Sequence, residues 1–338
     1  MADNRRRAKR FARGARKAAI PLALFLLLPC AAQAQDVAAA QPQSHWITLG
    51  THGGPMPSPT RSQPANALVY GNNVYLVDVG DGATEQLAKA GVPLAQVRAI
   101  LLSHLHFDHT AGLLGLLGLR YQTDIFQPLR IYGPPGTREL VAGLVAGMMP
   151  AAHAGYGMPG AAFRAPDEGL EVIELRDGAS FTLDSIVVAA RKNTHYSFLP
   201  GSEEDDAYES LSFRFEAPDR TIAYTGDTGP SQAVAELAQG ADLLISEMID
   251  LAGTLANIRR VSPDISPATL APLEAHLGSH HLTPSGVGEL ARQSGAKAVV
   301  VTHLSAPELN GAKAVEYLRE IGGEYSGPAV IARDLDRF

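Results

Sequence analysis

The strand-like run Ala99-Ile100-Leu101-Leu102 ends in Ser103 and then delivers His104, His106, Asp108 and His109, four side chains able to bind a metal within six positions. Nothing else in the chain restricts its folding as tightly. Alternation along an extended segment puts His104, His106 and Asp108 on one side, while His109 opens the turn into Thr110-Ala111-Gly112. A single histidine behind an apolar strand is commonly a hydrogen-bonded core residue. Four such groups at the end of one strand need many partners at once, and a metal supplies them together.

Three later positions share this setting. His195 follows the β-like run Ile186 to Ala190, Asp227 stands in Tyr224-Thr225-Gly226-Asp227-Thr228 after Thr221-Ile222-Ala223, and His303 ends Val299-Val300-Val301-Thr302. Taken singly, each reads equally well as a structural residue, Asp227 as a turn residue beside Gly226. Their recurrence in one chain favours a shared metal centre.

The N-terminus has a different character. Eight of the first twenty residues are Arg or Lys, an apolar run from Ile20 to Leu28 follows, and Ala32-Gln33-Ala34 offers a small-x-small cleavage site. This is the pattern of a secretory signal over residues 1–34, too short in its apolar part for the roughly 20 residues that span a bilayer. Simple cleavage after Ala34 is preferred over a twin-arginine route or lipid attachment at Cys30, which follows Pro29. No lasting membrane anchor is then expected, and the mature chain is periplasmic. The chain holds 28 basic and 35 acidic residues, of which residues 1–34 take eight and one, so the remainder carries a formal charge of −14. Such a surface does not invite polyanions. Cys30 is the sole cysteine, which leaves a mature metal site only His and carboxylate ligands.

Residues 35–338 suit one large domain. Strand-like runs at Trp46 to Leu49, Ala67 to Tyr70, Val74 to Val79 and Val97 to Leu102 surround a helical Thr84 to Ala90. The second half has strands at Ser212 to Phe215, Thr221 to Tyr224, Leu243 to Ile245 and Ala298 to Val301, with helices at Ser231 to Ala238, Ser285 to Arg292 and Lys313 to Ile321. Two β-rich halves with outer helices predict an α/β fold of four layers, an αββα sandwich. The stretch Ala142 to Ala165, rich in Gly, Ala, Pro and Met, is expected to be a surface loop and a candidate apolar lid.

The run His104 to His109 resembles the signature of the metallo-β-lactamase superfamily, with His195, Asp227 and His303 matching its later ligand motifs in order. That resemblance implies two divalent ions, zinc by default with Mn or Fe as alternatives. It gives His104, His106 and His195 to one ion, Asp108, His109 and His303 to the other, and Asp227 to both. Leu49-Gly50-Thr51-His52-Gly53-Gly54-Pro55, with Arg61 and Leu76-Val77-Asp78-Val79-Gly80, resembles the first motif of the tRNase Z and arylsulfatase-like branch, with His52 in place of glycine. Glu247 and His281 resemble that branch's proton-transfer pair. His276 and His280 are expected to be solvated. The chain departs from tRNase Z in having only about thirty residues between His195 and Asp227, too few for its tRNA-gripping arm, and in lacking an arginine after Thr302-His303-Leu304-Ser305-Ala306.

The implied chemistry is hydrolysis of a small phosphate or sulfate ester. Two ions acidify a shared water, with Asp108 at the centre, and His281, oriented by Glu247, protonates the leaving oxygen. A small-molecule ester, no nucleic acid and an open question of homo-oligomers complete the expected partners. A lactonase or β-lactamase-like amidohydrolase is the runner-up, and a non-catalytic metal-binding protein the third reading, which Glu247 and His281 argue against.

Overall fold

Period-two alternation sorts the strand side chains between separate cores. In a first set of strands, β1 (Ser44–Gly50), β2 (Ala65–Tyr70), β3 (Asn73–Val79) and β4 (Val97–Leu101), the residues Trp46, Leu68, Tyr75, Val77 and Leu101 enter one cluster. Their neighbours Ile47, Ala67, Val74, Leu76 and Ile100 enter another. Sheets buried on both faces require such strands, apolar throughout. The computed structural model describes residues 43–338 except Pro159, Ala161 and Glu308, so the expected signal at residues 1–34 lies outside the described residues.

With β5 (Leu129–Gly133), β6 (Leu170–Glu174) and the short β14 (Asp336–Arg337), these strands form a seven-stranded sheet of order β14-β1-β2-β3-β4-β5-β6. The second sheet runs β13-β12-β11-β10-β9-β8-β7. Its strands are β7 (Ser180–Leu183), β8 (Ile186–Lys192), β9 (Leu211–Glu216), β10 (Thr221–Tyr224), β11 (Leu243–Ile249), β12 (Val299–Ser305) and β13 (Ala329–Ile331). Phe213, Phe215, Ile222, Tyr224, Ile245 and Val300 meet the first sheet in the central core.

Helices cover the outer faces. The first sheet carries α1 (Ala83–Lys89), α3 (Leu113–Gln122) and α4 (Thr137–Ala154), with the single turn α2 (Phe107–Thr110) at its edge. After the short α5 (Glu203–Ala207), the second sheet carries α6 (Gln232–Leu237), α9 (Pro284–Ser294) and α10 (Gly311–Glu324). Two further helices, α7 (Leu251–Val261) and α8 (Pro267–Ser279), lie between β11 and α9. The four-layer αββα expectation agrees with this arrangement.

One expectation fails. The first half of Ala142 to Ala165 is not loop but α4, an 18-residue helix that buries Val141, Met148 and Ala152 at helical spacing. Gly143 and Gly147 lie where nothing comes within 4 Å of a Cβ, so they cost helix propensity without breaking contacts. Nor does the segment lie over the histidines. Tyr156 donates to the Gln122 carbonyl at the far end of α3, and the Arg164 guanidinium lies 3.3 Å from the Phe126 ring centroid. The adjacent Arg120 donates to the carbonyls of Leu94 and Val97, at the N-terminal end of β4, whereas His104 leaves its C-terminal end. The lid idea is withdrawn on that geometry.

Gly147→Ala should raise stability by about 0.5–1 kcal/mol in urea unfolding if α4 is helical there. A neutral result would return the segment to loop.

Candidate metal centre

Asp78 on β3, the run after β4, His195 after β8, Asp227 after β10, Glu247 on β11 and His303 on β12 meet at one edge of the sandwich. Parallel pairing of β3 with β4 and of β10, β11 and β12 brings those C-terminal ends together. Crevices beyond such ends are where α/β sheets usually bind ligands. The two sheets are stitched there by backbone, with Leu211 N donating to the Ser103 carbonyl at 2.8 Å and Leu304 N to the Thr51 carbonyl at 2.8 Å.

The first set is His104, His106 and His195. Nε2 of His104 and Nε2 of His195 each lie 3.1 Å from Nδ1 of His106. The ring protons of two of these are already committed. Ser103 Oγ donates to Asp78 Oδ2, so it accepts from His104 Nδ1, and His195 Nδ1 donates to the His280 carbonyl at 3.3 Å. Both Nε2 atoms therefore present lone pairs, and the one proton His106 Nδ1 can hold serves at most one of them. Zn–N bonds of about 2.0–2.1 Å in a tetrahedron set ligand nitrogens roughly 3.3 Å apart, close to the spacing observed.

The second set is Asp108, His109 and His303. Asp108 Oδ2 stands 3.6 Å from His109 Nε2 and 3.5 Å from His303 Nε2. Asp227 lies between the sets, with Oδ1 3.3 Å from His109 Nε2 and Oδ2 3.2 Å from His303 Nε2, 3.8 Å from His195 Nε2 and 4.0 Å from His104 Nε2. His109 Nε2, Asp227 Oδ1 and both ring nitrogens of His303 are buried without a hydrogen-bond partner. Buried polar atoms left bare in this way need an explanation, and His109 Nε2, Asp227 Oδ1 and His303 Nε2 converge on one region. All seven residues belong to clusters whose ligand atoms lie within 4.8 Å of one another. The buried His/Asp clusters suit a binuclear centre.

Electrostatics makes the same demand. Burial pushes His104 and His195 well below the ordinary histidine range, which keeps them neutral as ligands must be. Burial also opposes charge on His109, yet Asp227, Asp108 and Asp78 outweigh it and hold that ring well above its usual value. The pocket thus favours positive charge, as proton or cation.

Asp78 holds the ligands in place. Its fully buried carboxylate accepts from His109 Nδ1 at 2.8 Å, Ser103 Oγ at 2.8 Å, Ser103 N at 2.7 Å and Tyr224 Oη at 2.7 Å. Asp78 and His303 both adopt left-handed backbone, at φ 60° and 41°. Such conformations cost about 1–3 kcal/mol each in non-glycine residues and gather at functional sites. Gly53 completes the packing, because a Cβ there would fall 2.7 Å from His303 Nδ1.

Glu247 and His281 form a buried pair, His281 Nδ1 to Glu247 Oε2 at 2.8 Å, and Thr228 N donates to Glu247 Oε1 at 2.7 Å. Burial opposes a charged imidazole and also raises Glu247, but the neighbouring carboxylate raises His281 to about 9, which favours the proton of the pair on His281. The His281 ring centroid is 4.9 Å from that of His195 and 6.4 Å from that of His303, beside both sets.

Two histidines expected to be solvated are partly exposed and also bonded beside the site. His280 provides the carbonyl that orients His195, and its ring bonds the Thr194 carbonyl. His276 on α8 is half-buried, with Nδ1 2.7 Å from Ser197 Oγ and ring centroids 5.4 Å from His195 and 5.8 Å from His281. Its place in a cluster with those residues carried no signal in the local sequence, since α8 brings it there through tertiary packing. The contacts Asp78 makes across the sheets escaped sequence reading for the same reason, although its motif was visible.

Known proteins share the sequence pattern and the fold. A family model described as a beta-lactamase superfamily domain matches residues 73–304. Ribonuclease Z of Mycobacterium bovis is 27% identical over 86% of this chain and 96% of its own length, and that of Mycolicibacterium paratuberculosis 29% identical over the same shares. In fold, the metallo-beta-lactamase fold protein YhfI from Bacillus subtilis superposes with a TM-score of 0.63 at 20% identity, covering 88% of this chain and 99% of its own. The short form of human tRNase Z gives 0.59 at 24% identity, covering 87% and 98%. Since the matched domain spans every histidine and carboxylate of both sets, the chain belongs to the metallo-β-lactamase superfamily, as a metal-dependent hydrolase related to the ribonuclease Z branch.

Proposed function

We propose that the protein is exported and hydrolyses small phosphate or sulfate esters at a two-metal centre. His104, His106 and His195 would hold one divalent ion and Asp108, His109 and His303 the other, with Asp227 placed between the two sets, and the N/O ligand set would favour zinc. The observation that carries the ester reading is the buried Glu247–His281 pair beside the centre. Metal storage has no use for a held proton donor, whereas an ester whose leaving oxygen departs as an alkoxide does.

Divalent ions held there would supply Lewis acidity, making hydroxide available near neutral pH and offsetting charge on the substrate's phosphoryl or sulfuryl oxygens. The chain's own groups do the rest. His281 gives its proton to the leaving oxygen, and Glu247 keeps the ring charged and engages Nδ1, so that Nε2–H is the donor. Asp78 and the His280 carbonyl hold His109 and His195 in the tautomers that face the centre.

The relatives named ribonuclease Z favour a second reading, RNA phosphodiester cleavage. Against it stand the acidic balance beyond residue 34 and the brevity of the path from His195 to Asp227, which holds only α5, β9 and β10. Relative rates on a precursor tRNA and on small esters decide between them; preferential cleavage of the tRNA would reject the small-ester reading.

Protein purified with zinc supplied should contain close to two ions per chain, and Asp227→Ala should lose much of one, with activity falling at least about 10²-fold. Unchanged metal content in the variant would remove Asp227 from the ligand set.

His281→Ala should cost about 10²-fold or more with alkyl and unsubstituted phenyl esters but little with nitrophenyl esters. The rate of the wild type should fall at high pH, as His281 loses the proton it holds up to about 9, and the variant should lack that limb. Equal leaving-group slopes in the two proteins would reject the general-acid role.

For export, mass spectrometry of protein recovered from a periplasmic fraction should find Gln35 at the N-terminus. Recovery of intact chain from the cytoplasm alone would reject it.

A further inference from the structure

We propose that His276 and Phe198, with Tyr196 between Phe198 and the metal centre, form a subsite for the leaving group of an aryl ester. This rests on the ester reading above and adds its substrate class.

Position is the first argument. His281 stands beside both ligand sets, and the His276 ring lies 5.8 Å from it and 5.4 Å from His195. His276 therefore flanks the donor that must touch the leaving oxygen. The second argument is the unbroken series of rings leading away from the centre. Tyr196 lies 5.4 Å from His106, Phe198 5.3 Å from Tyr196 and Tyr208 6.1 Å from Phe198, between centroids. The Ser197–His276 hydrogen bond at 2.7 Å joins this segment to α8. Third, α8 has no fully buried residue among its thirteen, which leaves it little part in the core. Phe107, directly after His106, is 81% exposed, an uncovered ring beside the first set.

The partly exposed rings of Tyr196, Phe198 and His276 can take a flat aromatic guest in preference to an alkyl one, by about three- to tenfold per ring contact. An anionic acid portion on the metal centre and an apolar aryl alcohol portion along Tyr196, Phe198 and His276 would suit the two ends of one small ester.

The test uses 2-naphthyl and phenyl esters of the same phosphate and sulfate acids, whose leaving groups are of similar acidity but differ by a fused ring. Wild type should prefer the naphthyl esters in kcat/KM, and His276→Ala and Phe198→Ala should each reduce that preference three- to tenfold. His276→Phe should retain it, and all three should keep their metal. An unchanged preference, equal slowing of both esters, or loss of metal in His276→Ala would overturn the subsite, the last by making His276 a ligand. If wild type hydrolyses neither ester, the ester reading fails by itself. Calorimetric binding of 2-naphthol to the zinc-loaded protein then decides the subsite: weakening by the same factor in His276→Ala supports it, and equal binding overturns it.

Discussion

One buried carboxylate holds this structure together where its chemistry is placed. Asp78 accepts four hydrogen bonds from both sheets, from Ser103 beside β4, from Tyr224 on β10 and from the ring of His109. A carboxylate with no solvent contact survives only when its lone pairs are used in this way, and removing one partner of such a buried charge costs about 3–5 kcal/mol. Through Ser103 Oγ the same group also sets the tautomer of His104. The aim of two histidines in different ligand sets thus depends on one side chain, which also ties the two sheets at this edge.

The centre is built to be incomplete without a cation. Three carboxylates surround the fully buried His109, and the facing nitrogens of His104, His106 and His195 have at most one proton to share, with only His106 open to solvent among those three. Folding brings them together because each follows or ends a strand whose burial in one core or another is worth more than the local cost. Metal binding and stability are consequently linked, since ligands pre-assembled at such a cost gain when the charge they demand arrives. The Glu247–His281 pair stands apart from this arrangement. It satisfies itself through the hydrogen bond between the two side chains.

Much of the architecture was legible because strand alternation and strand-end polarity are local signals. The seven metal-facing residues were each visible as a polar group after an apolar run, and the structure brings all seven together. Glu247 and His281 were visible only through likeness to a family, since nothing about Ser246-Glu247-Met248 or His280-His281-Leu282 by itself says that they touch across 34 positions. The segment from 142 to 154 misled because Gly and Pro punctuate sequence strongly, while α4 tolerates them by turning Gly143 and Gly147 to open space and burying Val141 and Met148. His276 was dismissed because an isolated histidine in an alanine- and proline-rich helix has no local pattern.

By itself the sequence determined the composition of the centre: His and carboxylate ligands without thiolate, delivered by strands apolar on both faces, and so a sheet sandwich with its chemistry at one edge. That follows from periodicity and from the cost of burying unpartnered polar groups, both of which act within a few residues. Only the tertiary structure decided the tautomers, the hydrogen bonds of Asp78 across the sheets, the removal of α4 from the site and the arrival of α8 with His276. Those depend on contacts between residues as much as 146 positions apart, such as Tyr224 with Asp78, and no local periodicity encodes which distant partner completes a buried charge.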